Sequence, residues 1–123
     1  MIKIKNVILL SLVLGAYSFE AEARDCVIPR FRADWGLEMP VYLTVKKNTN
    51  CPLLISSVGQ DEMTITQAPK NGVAKPISSG VNYKANNNFI GTDEFVFVRK
   101  GRDRYGNPAE SRLRVSVQVV NDL

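Results

Sequence analysis

The sequence predicts an all-β protein, a small antiparallel sandwich of about seven strands. Three observations carry that expectation. Leu113, Val115, Val117 and Val119 alternate with Arg112, Arg114, Ser116 and Gln118, the period of a strand with one face buried and the other wet. Between residues 63 and 97, short β-rich runs alternate with polar turns at close spacing. Helical periodicity is nearly absent from residue 63 to residue 119.

The elements follow in order. Residues 27–35 read as a first edge strand or an extended arm, broken by Pro29, and residues 36–40 as a turn. Residues 41–45 form a strand that the polar stretch 46–50 ends. Residues 53–58 form the next, followed by a turn over 59–62 and a strand over 63–67. Pro69-Lys-Asn-Gly72 is a tight turn signal, because Asn-Gly tolerates positive φ. Residues 73–77 are interrupted by Pro76 and belong at a sheet edge. Residues 81–83 form a short strand after the turn at 78–80. Residues 94–100 carry Phe95 and Phe97 on one face and Val96 and Val98 on the other, which marks a central strand or one covered on its second side. Residues 101–111 read as a long polar hairpin loop before the closing strand.

Residues 1–23 have the form of a secretory signal peptide. Lys3 and Lys5 supply the positive start, and residues 7–17 an apolar run short of the ~20 residues that span a bilayer. Ala21-Glu-Ala23 supplies the small-x-small cleavage pattern. Ala23-Arg-Asp before Cys26 offers no lipobox. The expected product is a single periplasmic or secreted domain, residues 24–123, with no transmembrane segment after cleavage. A chain of about a hundred residues buries a core, but a thin one.

The formal net charge of +4 survives removal of Lys3, Lys5, Glu20 and Glu22. It favours anionic partners and leaves nucleic acid without an aromatic-basic stacking surface. The two cysteines, Cys26 and Cys51, are expected to pair in an oxidising compartment. The bridge would close a loop of about 25 residues and contribute roughly 3 kcal/mol. Their spacing is not C-x-x-C, and there is no histidine to complete a metal site.

Pro69-x-x-Gly72, followed by Tyr83, Phe89, Gly91, Asp93 and Phe95, resembles the C-terminal half of bacterial Ig-like and cadherin-like repeats. Those repeats carry a Pro-x-x-Gly turn, a Tyr-x-Pro-x-x-x-Phe-x-Gly-x-Asp-x-Phe run and a closing Val-x-Val-x-Val strand. Here Ala85 stands where their proline would be. The resemblance implies an Ig-like sandwich in which these residues hold the fold. Phe89 and Phe95 would plug the core, Tyr83 would bury its ring and satisfy its hydroxyl on nearby backbone, and Asp93 would cap its own turn. Calcium ligands of the cadherin type are not expected. Asp61-Glu62 and Asn121-Asp122 are sparse, and calcium takes at least about six oxygens. No cofactor or metal is expected.

Catalysis lacks its commonest general base, since the chain has no histidine, and no G-x-S-x-G elbow is present. The reading is therefore of a non-enzymatic binding module of the envelope, engaging a protein or an anionic polymer through the basic loop 99–112. Its candidate contacts are Arg99, Lys100, Arg102, Arg104, Arg112 and the aromatic Tyr105. Two alternatives compete. Ser79-Gly-Val-Asn-Tyr83 resembles the active loop of periplasmic C-type lysozyme inhibitors, which implies an inhibitor of a host enzyme. Exposed edge strands could instead pair with another chain in an envelope assembly.

Overall fold

The computed structural model describes residues 25–55 and 61–123. The signal-peptide segment, the second half of the strand expected over 53–58 and the start of the turn after it lie outside the described residues. Eight strands occur among the described residues: β1 (Cys26–Val27), β2 (Glu38–Lys46), β3 (Asn50–Leu54), β4 (Glu62–Gln67), β5 (Gly72–Ile77), β6 (Gly80–Ala85), β7 (Gly91–Arg102) and β8 (Pro108–Val120). They form a five-stranded sheet in the order β1-β2-β8-β7-β4 and a three-stranded sheet in the order β3-β6-β5. β2 runs parallel to β8, from Glu38 beside Arg112 to Lys46 beside Val120. The other pairs are antiparallel.

The core is the meeting of two alternating patterns. Leu113, Val115, Val117 and Val119 of β8 face inward with Val41, Leu43 and Val45 of β2 and Phe95 and Phe97 of β7. Cys51, Leu53, Val81, Tyr83 and Ala85 close on them from the smaller sheet. Tyr83 and Phe95 stack across the interior at 5.7 Å between centroids, and Phe97 continues the row at 6.2 Å from Phe95. Truncating a buried ring of this kind costs about 3–5 kcal/mol. β7 sits between β8 and β4, and Val96 on its outer face is fully buried. Its cross-strand neighbour is Arg114, as Arg112 is for Val98, and arginine stems in such positions can cover apolar surface.

The Cys26–Cys51 disulfide joins the edge strand of the larger sheet to the edge strand of the smaller one, with Cα atoms 5.5 Å apart. It thereby crosslinks the two layers beside the core.

Several expected boundaries move. The strand expected over 27–35 contracts to Cys26–Val27, and the rest is an irregular arm. The turn expected over 36–40 ends earlier, because β2 starts at Glu38 and continues through Pro40. Proline is tolerated there because β1 covers only Thr44 and Val45, leaving the far side of residue 40 open. The long loop expected over 101–111 is mostly strand: β7 and β8 stay paired out to Arg102 beside Pro108. Polar composition hides a ladder whose hydrogen bonds are all backbone.

Candidate binding surface

The β7–β8 hairpin places the basic residues singled out by the sequence. Its tip, residues 102–107, is held by its own backbone and by two of its side chains. Asp103 N–H donates to Asn107 O at 2.9 Å, and Gly106 N–H to Asp103 O at 3.0 Å. Asp103 Oδ1 accepts from Tyr105 N–H and Asn107 N–H, each at 2.9 Å. Gly106 takes φ of 83°, a left-handed conformation that glycine adopts without strain. Arg102 Nη1 donates to Gly106 O at 2.8 Å and folds its stem along the turn. The tip is thus ordered before any partner arrives, and its conformational cost on binding is small.

The six candidate contacts separate into three groups. Arg102, Arg104 and Tyr105 lie at the tip, exposed, and no carboxylate among the described residues pairs with either arginine. Tyr105 is 78% exposed, and the Arg104 guanidinium lies 5.8 Å from its ring centre. Lys100 and Arg112 stand lower on the strands, turned toward carboxylates. Lys100 Nζ is 3.9 Å from Glu110, and Arg112 Nε 3.1 Å from Glu38. Glu38 also meets Arg114, whose guanidinium it holds above the usual range by hydrogen bonding, with help from Glu94.

Arg99 departs from the expected surface altogether. It is 7% exposed and points inward, following Phe95 and Phe97 on the same face of β7. Its Nε donates to Asp61 Oδ2 at 2.7 Å and its Nη1 to Ala33 O at 3.1 Å. The Trp35 ring covers its guanidinium at 3.9 Å. A Cβ on Gly101 would collide with the Asp61 carboxylate, so the absence of a side chain there makes room for the pair. Sequence reading missed this cluster. The signals were the chain's single tryptophan and an arginine continuing a buried alternation. The cluster ties the arm to the hairpin base, where Gly36 N–H donates to Glu110 O and Arg112 N–H to Leu37 O.

The residues assigned to the fold form a second cluster around Asp93. Its carboxylate accepts Tyr83 Oη–H at 2.8 Å, Lys70 N–H at 2.9 Å, Asn71 N–H at 3.1 Å and Glu94 N–H at 2.9 Å. Tyr83 therefore bonds a carboxylate rather than backbone, and Asp93 caps the Pro69–Gly72 turn as well as its own strand entry. Gly72 serves close approach rather than positive φ, since a Cβ there would stand 2.7 Å from Lys84 O and 2.8 Å from Tyr83 Oη. Gly91 does take a positive φ, 146°, against the Phe89 ring. Phe89 is only partly buried, packed on the rim of the core instead of plugging it.

The alternative readings meet specific geometry. Gly80 to Tyr83 lie in β6, the central strand of the smaller sheet, and Tyr83 is fully buried, so no loop protrudes there. The open strand edges carry prolines. Ile55 N–H donates to Ser79 O, which by alternation turns the backbone of Asn50, Pro52 and Leu54 to the free edge of β3. The same alternation through β6 turns Gly72, Ala74 and Pro76 to the free edge of β5. Lys46 N–H donates to Asp25 O, so Glu38, Pro40 and Tyr42 face the free side of β2. β4 carries a bulge between Ile65 and Gln67. The free sides of β2, β3 and β5 and the β4 edge are thus blunted against strand addition.

Among the described residues, no three His, Cys, Asp or Glu side chains converge as metal ligands would. No helix among them is long and apolar enough to cross a membrane. No family model, characterised protein or solved structure matches the chain.

Proposed function

We propose that the chain is an exported, non-enzymatic recognition module on an Ig-like sandwich, capturing an acidic protein surface or an anionic envelope polymer through its hairpin tip. Reading β3 to β8 as strands B to G gives a B-E-D sheet and a C-F-G sheet, the immunoglobulin pairing, with β2 docked parallel on the last strand. β1 is then an added tag held by the disulfide. That disulfide is compatible with an oxidising compartment, in keeping with the export reading of residues 1–23.

The observation that carries the proposal is the tip: a pre-ordered turn that displays Arg102, Arg104 and Tyr105 with no carboxylate paired to either arginine. Arginine and tyrosine supply charge and rigid contact area, and both concentrate at interface hot spots. The prolines on the free edges weigh against assembly by strand pairing, and the burial of Tyr83 against an inhibitory loop. The test is charge reversal. Arg102→Glu with Arg104→Glu abolishes capture of the partner from an envelope fraction and leaves the melting temperature unchanged. Undiminished capture by the double variant contradicts the proposal.

A further inference from the structure

A concavity of about 380 Å³ opens on the outer face of the three-stranded sheet, toward the end of the sandwich away from the hairpin tip. It falls within the roughly 300–1,000 Å³ of small-ligand sites. Alternation places its lining. Because Val81, Tyr83 and Ala85 point into the core, Asn82 and Lys84 point outward, joined by Lys75 of β5 and Asn50 of β3. Asn86 and Asn87 close the end.

The chemistry of that lining is of one kind. It holds two ammonium groups, four carboxamides and no carboxylate. Neither Lys75 nor Lys84 has an ion-pair partner among the described residues. Asn82 Nδ2 donates to Asn50 Oδ1 at 3.0 Å, which orients both amides and leaves each with further donor or acceptor capacity. The end wall is fixed by a reciprocal pair. Asn88 N–H donates to Asn48 Oδ1 at 2.8 Å, and Asn48 Nδ2 to Asn88 Oδ1 at 3.1 Å. Both asparagines adopt left-handed backbone, φ 62° and 63°. The turn carrying Asn86 and Asn87 is thus locked to the turn after β2.

We propose that this concavity binds an acidic saccharide, a sugar chain bearing carboxylates. Lys75 and Lys84 would take the carboxylate, and the asparagines, each both donor and acceptor, would take the hydroxyls. Val73 and the buried Ala85 are its only apolar lining, too little to enter a lipid interface. An extended acidic peptide would want the β5 edge, where Pro76 removes a donor. The inference uses a different face from the hairpin and does not rest on the reading proposed above.

The test is an NMR titration of the ¹⁵N-labelled, oxidised protein with a uronic-acid trisaccharide, a neutral trisaccharide, inorganic phosphate and phosphatidylglycerol vesicles. The side-chain amide signals of Asn50, Asn82, Asn86 and Asn87 shift saturably with the uronate alone. Lys75→Gln with Lys84→Gln weakens that binding about tenfold or more while melting stays unchanged, and Arg102→Glu with Arg104→Glu leaves it intact. An equal response to the neutral sugar or phosphate, an unaffected lysine variant, or no response at millimolar uronate overturns the proposal. A response to vesicles without one to uronate assigns the face to lipid and overturns it equally.

Discussion

The Tyr83 hydroxyl donates to Asp93 Oδ2 at 2.8 Å, from a ring that is fully buried and stacked on Phe95. Burial, more than the neighbouring carboxylate, pushes the phenol well above its ordinary value of 10. A group whose value is raised on folding holds its proton after the unfolded chain has lost it. Its stabilisation is therefore complete below about pH 10 and is lost as pH climbs past that value. Thermal melts between pH 8 and 12 check this. The wild type loses stability above pH 10 more steeply than Tyr83→Phe, and one tyrosine lags in an absorbance titration at alkaline pH.

Asp93 accepts four hydrogen bonds from three segments of chain, two of them from the turn more than 20 residues upstream. Hydrogen bonds to a charged group contribute about 1.5–3 kcal/mol each, and three of the four bonds, all but that from Lys70, lie partly buried. Asp93→Ala destabilises the domain by about 3 kcal/mol or more in urea unfolding. Asp93→Asn recovers part of this, because its amide oxygen still accepts.

Arg99 and Asp61 form an ion pair whose side chains are 8% and 3% exposed. Removing one partner of such a pair costs about 3–5 kcal/mol, because the other is left charged and buried. Asp61→Ala and Gly101→Ala destabilise by a similar amount, the second by displacing the Asp61 carboxylate. Asp61→Leu combined with Arg99→Met costs less than either single change. Trp35 reports the event directly, since it is the only tryptophan and lies on the guanidinium. Its fluorescence shifts in every variant that disturbs the pair.

Pro40, Pro52 and Pro76 each face an open strand edge. Replacing all three with threonine restores the missing N–H donors and makes the edges competent to pair. Sedimentation velocity shows the triple variant associating with rising concentration, while the wild type does not under the same conditions.

The larger part of the fold was legible because β8 alternates strictly and β7 is apolar on both faces. Those patterns follow from burial alone, and the structure places Leu113, Val115, Val117, Val119 and Val96 accordingly. The Cys26–Cys51 pairing was equally plain from the count of thiols. Less legible was anything decided by a partner distant in sequence. Arg99 reads as surface charge until Asp61, Ala33 and Trp35 surround it. Gly72 reads as a turn glycine until Tyr83 and Lys84 are found against it. The hairpin reads as a loop because exposed strand residues have no hydrophobic signature. Of the six candidate contacts, Arg102, Arg104 and Tyr105 reach the tip; the asparagines facing the smaller sheet carried no motif.

The most direct measurement places a photo-crosslinking amino acid at position 105 and, in a separate protein, at position 42. Tyr42 is 59% exposed on the outer face of the larger sheet, outside the hairpin tip, and serves as the control. Irradiated with an envelope fraction, the protein labelled at 105 forms one dominant adduct that excess salt suppresses, and the protein labelled at 42 forms none. Adducts from 42 with none from 105 would contradict capture through the hairpin.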